Sequence, residues 1–478
     1  MKTPIPNTVK NFSKKFSRPN PYVLLFSLLF LCAIATYLVP AGEFDRVQKG
    51  DISVTIPGSY HAVDPNPTGF IQFFTAIQTG MVDAAPLILL VLFTGGAMAV
   101  IEKTGALNAA ILSLVNRLGN KEFLLIILVS GLFSFLGTVG VIVNSVIAFI
   151  PLGIMIARAM KLDALFGVAL IYLGTYAGYN TTIATPSPLG LSQRIAELPL
   201  FSGIGFRIVI YLVTTVVTIL YISRYARKIK GNPSASILGS DLFPASTGNE
   251  EQSEKALGNQ TTFTLQQKLI LSFAGLTLLS FIICTLLFKW TENEMAGIFI
   301  FIAIGVGLIA RMGPNEIAKT FLQGCQGLIN GALIIGMARS ISVVLEDGKL
   351  LDTIVNHLAA LLNPLTPTLG GIGMFLVSAL LHFLISSGSG ESVVLVPVLV
   401  PLADLLNITR QVAVEAVMLG EGLVNCMNPT SGVLMSILAI SGISYGKWLR
   451  FILPLLAIWA VLDIVFLIIG ISIGWGPY

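Results

Sequence analysis

The feature of the sequence that most restricts its fold is a series of apolar runs, each close to 20 residues long. Roughly 20 apolar residues form an α-helix long enough to span the hydrocarbon core of a bilayer. Only 11% of the residues are charged, whereas soluble domains carry about 25%. The chain is therefore predicted to be an all-α polytopic membrane protein, with the lipid bilayer as its first partner. Representative runs are Tyr22–Val39, Ala85–Ile101, Phe201–Ile222, Leu269–Phe288 and Phe451–Ile473.

Several functional classes are disfavoured by what the sequence lacks. The formal net charge of +4 is too small to indicate nucleic-acid binding. None of the four cysteines forms a C-x-x-C pair, so neither a disulfide framework nor a metal centre is predicted. The G-x-x-x-x-G-K-[ST] motif of ATP-driven pumps is absent. The segment SSGSGES is not the G-x-S-x-G motif of hydrolases, and no His and acid are placed as an obvious catalytic triad. We expect no enzyme and no cofactor, with Na⁺ or H⁺ left open as a coupling ion.

Polar segments at the N-terminus and near the middle divide the chain into two halves. Residues 1–21 carry four lysines and one arginine ahead of the first apolar run, which favours a cytoplasmic N-terminus by the positive-inside rule. That run exceeds the h-region of a signal peptide, so we expect a retained helix. Residues 224–268 are polar and begin with a basic cluster. They are predicted to be a cytoplasmic linker between transmembrane repeats at 22–223 and 269–478.

The two halves contain matching motifs in the same order. One matching motif would arise easily by chance, but an ordered series would not, so we predict an internal repeat. The aligned pairs are Ser145 with Ser392, Leu173–Gly174 with Leu419–Gly420, Asn180 with Asn425, Thr185–Pro186 with Asn428–Pro429, and the Ser-Gly-Ile at Ser202 with that at Ser441.

Each half also contains two interruptions of its apolar pattern. The first is a short apolar piece opened by a turn of small residues, at 137–153 and 386–402; this length is typical of re-entrant rather than spanning segments. The second is a helix broken by proline, Asn, Ser and Thr, at 178–188 and 424–432. We expect two inverted repeats, each with a re-entrant helical hairpin and a broken transmembrane helix. Paired breaks of this kind indicate the midplane site of a secondary transporter.

Three long segments of the sequence resemble a known family. Residues 140–180, 386–422 and 428–451 are similar to the YfcC branch of the DcuC family, the four-carbon-dicarboxylate anaerobic carriers of the ion transporter superfamily. The resemblance covers nearly the whole chain except the central linker. It implies an inverted-repeat fold, a bacterial inner-membrane location, a homodimer, and transport coupled to ions or to a counter-solute. Members of the family carry, or are proposed to carry, dicarboxylates or basic amino acids.

Three departures from the family pattern lie in or beside the expected pocket. Glu391 stands where relatives usually have glutamine, and Gly420–Glu421–Gly422 replaces Gly-Asp-Gly. Thr185–Pro186–Ser187 replaces Asn-Pro-Phe. The solute of a relative is therefore not transferred to this chain.

The sequence SSGSGES at residues 386–392 is the first candidate for contact with a solute. Its glycines permit a tight turn, and the helix N-terminus that follows suits a carboxylate; close helix packing is the plainer use of such small residues. Glu391 and Glu421 are ionisable groups in apolar sequence, where burial is costly unless they are paired or hydrated. They are expected to carry a proton, bind Na⁺ or meet an amine. The alternative is that Glu391 only caps its helix.

Amide and hydroxyl groups at the four interruptions complete the candidate site. Their plainer role is to satisfy backbone groups freed by the prolines, and His382 is expected to be a buried, hydrogen-bonded histidine. If Na⁺ is the coupling ion, we expect it near Asn144, Asn180 and Asn425. The predicted substrate-binding residues are Asn144, Ser145, Asn180, Thr181, Thr182, Ser387, Gly388, Ser389, Gly390, Glu391, Ser392, Glu421, Asn425, Asn428, Pro429 and Thr430.

These observations predict a secondary active transporter, either symporter or antiporter, of small carboxylate-bearing metabolites. Four-carbon dicarboxylates and amino acids both remain open. The tip motifs contain no Lys or Arg, so an amino acid fits more simply, with its carboxylate at residues 387–390 and its amine near Glu391 or Glu421. A basic amino acid exchanger of the arginine/ornithine type is the main alternative. A channel is disfavoured because it does not need carboxylates at paired hairpin tips.

Overall fold

A computed structural model describes most of the chain. Residues 1–20 of the predicted N-terminal segment and residues 245–263 of the predicted linker lie outside the described residues. At the two ends of the predicted linker the chain is helical, because one helix continues to Gly231 and the next begins at Leu265. The described residues are 21–49, 52–106, 109, 122–239, 241–244, 264–288 and 290–476.

The described part of the chain is mostly helical, as the apolar runs predict. Four of its helices are long and apolar enough to cross a membrane, and a bent pair within 314–347 would make a fifth. The helices are α1 Pro21–Leu38, α2 Phe70–Asp83, α3 Ala85–Lys103, α4 Glu122–Thr138, α5 Asn144–Ala159, α6 Ala164–Tyr179, α7 Leu191–Ile195, α8 Ile204–Gly231, α9 Leu265–Phe288, α10 Glu292–Ile309, α11 Pro314–Asp347, α12 Leu351–Ala360, α13 Pro367–His382, α14 Gly388–Leu405, α15 Arg410–Asn425, α16 Gly432–Ser441 and α17 Tyr445–Ser472.

The order of helices and breaks in the first half recurs in the second. In the first half, α4 and α5 flank a non-helical turn, α6 ends at a second break, and the long helix α8 follows. In the second half, α13 and α14 flank a turn at 383–387, α15 ends at a break at 426–431, and the long helix α17 follows. The breaks therefore lie where proline and small polar residues interrupt the apolar pattern. The inverted relation between the halves stays a prediction.

Two matching glycines support the correspondence between the halves. The Ser-Gly-Ile motifs contain Gly203, with φ of +73°, and Gly442, with φ of +68°. Glycine adopts this left-handed conformation at no steric cost. Gly203 directly precedes α8, and Gly442 directly follows α16. In each half, a left-handed glycine therefore lies shortly before the last long helix, α8 in the first half and α17 in the second.

Apolar side chains cover much of the outer surface of the helices. Leu132 on α4, Val216 on α8 and Val461 on α17 are 56%, 53% and 62% exposed. The interior between these helices is also apolar and includes the fully buried Trp448. Large apolar side chains exposed on several helices at once fit contact with lipid rather than with water.

The segment between α1 and α2 is not helical. Strand β1 (Gly42–Glu43) pairs with β4 (His61–Ala62), and β2 (Arg46–Lys49) pairs with β3 (Ile52–Thr55), both antiparallel. We call residues 42–62 the β-cap. The prediction of an all-α chain missed it, although Gly50–Asp51 between two short alternating runs is a hairpin signal. The β-cap packs on α14 through β3, which brings it close to the candidate site.

Glycines allow α4 and α6 to approach closely, and this contact gives a first prediction. A methyl group at Gly137 on α4 would overlap the carbonyl oxygen of Thr175 on α6. Gly137→Ala is therefore expected to destabilise the protein by about 1–3 kcal/mol, the typical cost of overpacking. Thermal unfolding of the purified protein in detergent measures the change.

Gly131 on the same helix is the matched control. No atom lies within 4 Å of a methyl group placed there. Alanine has the higher helix propensity, so Gly131→Ala should leave the stability unchanged or raise it. Equal losses of stability in the two variants would contradict the close contact between α4 and α6.

Candidate functional site

A cavity of about 740 Å³ lies where the two halves meet. We call it the central cavity. Its wall combines the turn before α5, the C-terminal end of α6, the tip before α14, and the break between α15 and α16. Helices α2 and α11 supply the remaining side. The interruptions predicted from the sequence in the two halves thus come together around one space.

Proline and capping residues shape the second-half part of this wall. Helix α15 begins with Thr409 as its N-cap and ends at Asn425, ahead of Pro429. Helix α16 restarts behind Ser431, whose hydroxyl accepts from the backbone N–H of Leu434 at 3.3 Å. Proline lacks a backbone N–H donor and clashes with the preceding turn, so it disfavours continuation of the helix. The break holds the end of α15 against the cavity.

Glu421 on α15 contributes a carboxylate to the wall of the central cavity. Its Oε1 accepts from the hydroxyl of Tyr179 at 3.0 Å and from the amide of Asn425 at 3.5 Å. Its side chain is 2% exposed. Within the described part of the chain, its Oε2 has no hydrogen-bond partner. A buried carboxylate oxygen without a partner is costly, and a cationic group of a solute would satisfy it.

The tip before α14 lies directly against this carboxylate. A side chain at Gly388 would overlap both carboxylate oxygens of Glu421. Ser387 caps α14 and accepts from the N–H of Gly390 at 3.4 Å, and both Ser387 and Ser389 line the central cavity. The small residues of the tip therefore have two roles. They let the tip pack closely against Glu421, and they form part of the cavity wall.

Glu391 has a different environment from Glu421. Its Oε1 accepts from the hydroxyl of Ser378 at 2.5 Å, and its Oε2 lies 2.7 Å from Nδ1 of His382. Glu391 and His382 are both fully buried, and Glu391 is not part of the cavity wall. The structure places Glu391 behind the hairpin tip, where it joins α14 to α13. His382 is buried and hydrogen-bonded, as expected.

Asn428 and Thr430 hold the second break against the end of α13. The amide of Asn428 donates to the carbonyl of His382 at 2.8 Å, and the hydroxyl of Thr430 donates to the carbonyl of Phe383 at 3.1 Å. Pro429 lies between them in the non-helical segment. Thr430 lines the central cavity, while Asn428 is fully buried behind it. These two side chains satisfy backbone carbonyls at the tip.

The predicted polar residues of the first half also divide into one that lines the cavity and others that are buried outside its wall. Asn144 lines the central cavity. Asn180, Thr181 and Thr182 are buried beside it, and Thr181 donates to the carbonyl of Ala177 at 2.7 Å. The hydroxyl of Thr182 bonds to that of Thr185. Thr181 and Thr182 therefore form hydrogen bonds within the break, as the alternative to solute binding predicted.

Three further predicted residues, besides those already described, are not part of the wall of the central cavity. Ser145 is buried next to Asn144 in the first turn of α5. The hydroxyl of Ser392 donates to the carbonyl of Gly388 at 2.7 Å and accepts from Ser192 at 2.9 Å. Gly390 lines a second, neighbouring cavity. The structure thus brings Asn144, Ser387, Gly388, Ser389, Glu421, Asn425 and Thr430 together on the wall of the central cavity.

Two charged residues of the cavity wall were missed from the sequence. Arg339 on α11 and Asp83 on α2 both line the cavity, and Arg339 Nε lies 3.3 Å from a carboxylate oxygen of Asp83. Arg339 also contacts Glu346 at 3.4 Å. An arginine inside the apolar stretch GALIIGMARSISVVL is the signal that would have identified it, since intramembrane cations mark solute pathways.

Comparison with known proteins places the chain among carriers. The model of the C4-dicarboxylate anaerobic carrier family matches residues 19–472. An uncharacterized protein of Haemophilus influenzae is 25% identical over 96% of this chain and 98% of its own length. Escherichia coli YfcC, named as a proposed basic amino acid antiporter, is 28% identical over 92% of this chain and 93% of its own.

Among solved structures, MtrF of Neisseria gonorrhoeae aligns with 97% of this chain and 98% of its own, at 17% identity and a TM-score of 0.42. Its structure is described as illuminating a class of antimetabolite efflux pumps.

Proposed function

Because the chain belongs to the C4-dicarboxylate anaerobic carrier family and is a membrane transporter, we propose that it is a secondary active transporter of amino acids, and of basic amino acids in particular. One observation carries the proposal. The central cavity presents a carboxylate with an unpartnered oxygen, that of Glu421, and a guanidinium, that of Arg339. Opposite charges in one enclosed space suit a solute that carries both an amine and a carboxylate.

The carboxylate of the solute is assigned to Arg339 and the tip before α14. Arg339 has five N–H donors in a planar fork that matches a carboxylate, and its side chain is 35% exposed. Its contacts with Asp83 and Glu346, at 3.3 and 3.4 Å, are long for charge-assisted hydrogen bonds. A solute carboxylate can therefore compete with them. The N-terminus of α14 adds free N–H groups and the positive end of a helix dipole.

The net charge of the cavity favours a basic amino acid over a dicarboxylate. Asp83, Arg339 and Glu421 are the charged residues of the described chain that line it, and together they carry −1 when ionised. A solute with a net charge of +1 neutralises this sum, whereas a dicarboxylate brings it to −3. Uncompensated charge inside a membrane is expensive. The name of the E. coli relative supports the same solute class.

Uptake into proteoliposomes tests the proposal directly. Labelled arginine, ornithine and succinate are compared in vesicles with and without internal ornithine, a Na⁺ gradient and a pH gradient; protein-free liposomes are the control. We expect arginine uptake that depends on internal ornithine. Succinate uptake driven by Na⁺ or H⁺, without amino acid uptake, would instead support the second candidate, the dicarboxylate transport that the family description names. Asn144, Asn180 and Asn425 would then be examined as ligands of Na⁺.

Arg339 provides a prediction about specificity. Arg339→Gln is expected to raise the concentration of arginine needed for half-maximal uptake by roughly 30-fold or more, because loss of one partner of a desolvated charge pair costs about 2–5 kcal/mol. Agmatine, which is arginine without its carboxylate, is the matched probe. Its inhibition of uptake should be equal in the parent and the variant. An equal loss for arginine and agmatine would show that Arg339 does not bind the carboxylate.

A further inference from the structure

A second cavity of about 530 Å³ lies beside the central cavity. The β-cap forms one wall, and the segment from the end of α11 to the start of α12 forms another. The first two turns of α14 close the remaining side through Gly390, Val393 and Val394. The proposed solute site gives this second cavity no role.

Ion pairs fasten the β-cap over this second cavity. Lys349 Nζ lies 2.6 Å from Oε1 of Glu43, and a guanidinium nitrogen of Arg46 lies 2.9 Å from the carboxylate of Asp352. Asp352 also accepts from the backbone N–H of Phe44 at 3.0 Å. The hydrogen bond from Lys349 lowers the pKa of Glu43 below its ordinary value, which favours the ionised carboxylate. These contacts join the β-cap to the segment between α11 and α12.

The wall of the second cavity is charged and carries a net negative charge. It contains three acids, Glu43, Glu346 and Asp352, and two bases, Arg46 and Lys349. The rest of its wall is mainly apolar, through residues such as Val393 and Val394. A cavity whose wall carries a net charge of −1 favours small solutes that carry an amine. The central cavity has the same balance.

A thin barrier separates the two cavities. Ser389 at the tip before α14 lines both of them, whereas Ser387 lines only the central cavity and Gly390 only the second. The second part of the barrier is an ion pair on α11: Arg339 lines the central cavity, Glu346 lines the second, and the two groups lie 3.4 Å apart. One side chain and one ion pair thus lie between the two spaces.

We propose that the second cavity is the access vestibule for the central cavity, that it takes the same amine- and carboxylate-bearing solute, and that Ser389 together with the Arg339–Glu346 pair forms the gate between them. This inference rests on the proposed function. A solute carboxylate in the vestibule competes with Glu346 for Arg339. Once Arg339 exchanges partners, the pair that closes the passage is broken and the solute lies at the central cavity.

Cysteine accessibility tests the vestibule without a transported solute. Val394 lines the vestibule but not the central cavity, and Val143 lines the central cavity but not the vestibule. Each is replaced by cysteine in a separate variant. The background carries serine at Cys32, Cys284 and Cys325; Cys426 is fully buried and is kept. Ile56→Cys, on the exposed surface of the β-cap, reports which membrane face carries the cap. A membrane-impermeant methanethiosulfonate reagent is added to either face of oriented vesicles.

We expect Val394→Cys to react from the same face as Ile56→Cys, and Val143→Cys to be protected from that face. Adding Glu346→Gln, which weakens the gate, should raise the reaction rate of Val143→Cys from the cap face at least about tenfold. Failure of Val394→Cys to react from the cap face, or no change on adding Glu346→Gln, overturns the proposal. Because labelling needs no uptake, this outcome is distinct from failure of the uptake assay, which would overturn only the solute assignment.

Discussion

Replacing Glu421 by glutamine is expected to reduce the uptake of a basic amino acid by at least about 30-fold. The solute amine would then meet an uncharged amide in the central cavity, and truncation of one partner of a desolvated charge pair costs about 2–5 kcal/mol, or a factor of ten for each 1.4 kcal/mol. Glutamine keeps an oxygen that can accept from Tyr179, so the fold should be retained. Uptake by proteoliposomes with matched protein content measures the effect.

Glu391→Gln is the matched control, because it is the same substitution at a second buried glutamate. Glu391 is bonded to Ser378 and His382 and does not line the cavity. We expect this variant to lose stability, by about 1–3 kcal/mol for an impaired buried hydrogen bond, while the solute concentration for half-maximal uptake changes less than threefold. The reverse result, with Glu391 controlling solute affinity and Glu421 dispensable, would contradict the assignment of the two carboxylates.

The second large effect is expected at a buried ion pair that joins the two halves. Arg207 on α8 contacts Glu415 on α15, and the two side chains are 0% and 2% exposed. Removing one partner of such a pair leaves an uncompensated buried charge and typically costs 3–5 kcal/mol. Arg207→Met should therefore lower the stability by about this amount. Asp463 on α17 is the other buried acid near Glu415, and an acid cannot replace Arg207 as the cationic partner of Glu415.

The double variant Arg207→Met with Glu415→Leu separates charge from packing. Replacing both partners of a buried pair by apolar residues is often neutral or stabilising, so we expect it to recover most of the lost stability in thermal unfolding. Neither residue lines the central cavity, so the recovered protein should transport with unchanged solute preference. A double variant as unstable as Arg207→Met alone would show that packing around Arg207, such as its contact with Trp475, matters more than the charge pair.

These two predictions concern different parts of the molecule. Glu421 acts at the surface of the central cavity, where its carboxylate has an oxygen without a partner in the described chain. Arg207 and Glu415 lie at a contact between α8 and α15 away from that surface. One substitution should therefore change transport without changing stability, and the other should change stability without changing solute choice.

Much of the fold follows from the sequence because its signals are local. Apolar runs of the right length predict helices in a bilayer wherever they occur, and the polytopic helical class is confirmed. Proline disfavours the continuation of a helix, and the break between α15 and α16 lies where Pro429 predicts it. The family prediction is also confirmed, since the motifs that carry it are long and the family match covers residues 19–472.

The wall of the site could be predicted only in part. Seven of the sixteen predicted residues face the central cavity, among them Glu421 and Asn425. Glu391 and Glu421 give the same signal in the sequence, an acid within an apolar run. Only packing distinguishes them, because α13 places Ser378 and His382 against Glu391, while Glu421 lines the cavity and keeps one oxygen without a partner in the described chain.

The sequence by itself determined that this chain is a helical membrane carrier with breaks at two matching places. The tertiary structure alone decided that Arg339 and Asp83 complete the cavity, that Arg207 pairs with Glu415, and that the β-cap covers a second space. The reason is physical: each of these contacts joins residues far apart in the chain, and a charge within an apolar helix does not reveal which helix carries its partner. Local propensity sets where helices end, but the pairing of buried charges depends on which faces meet.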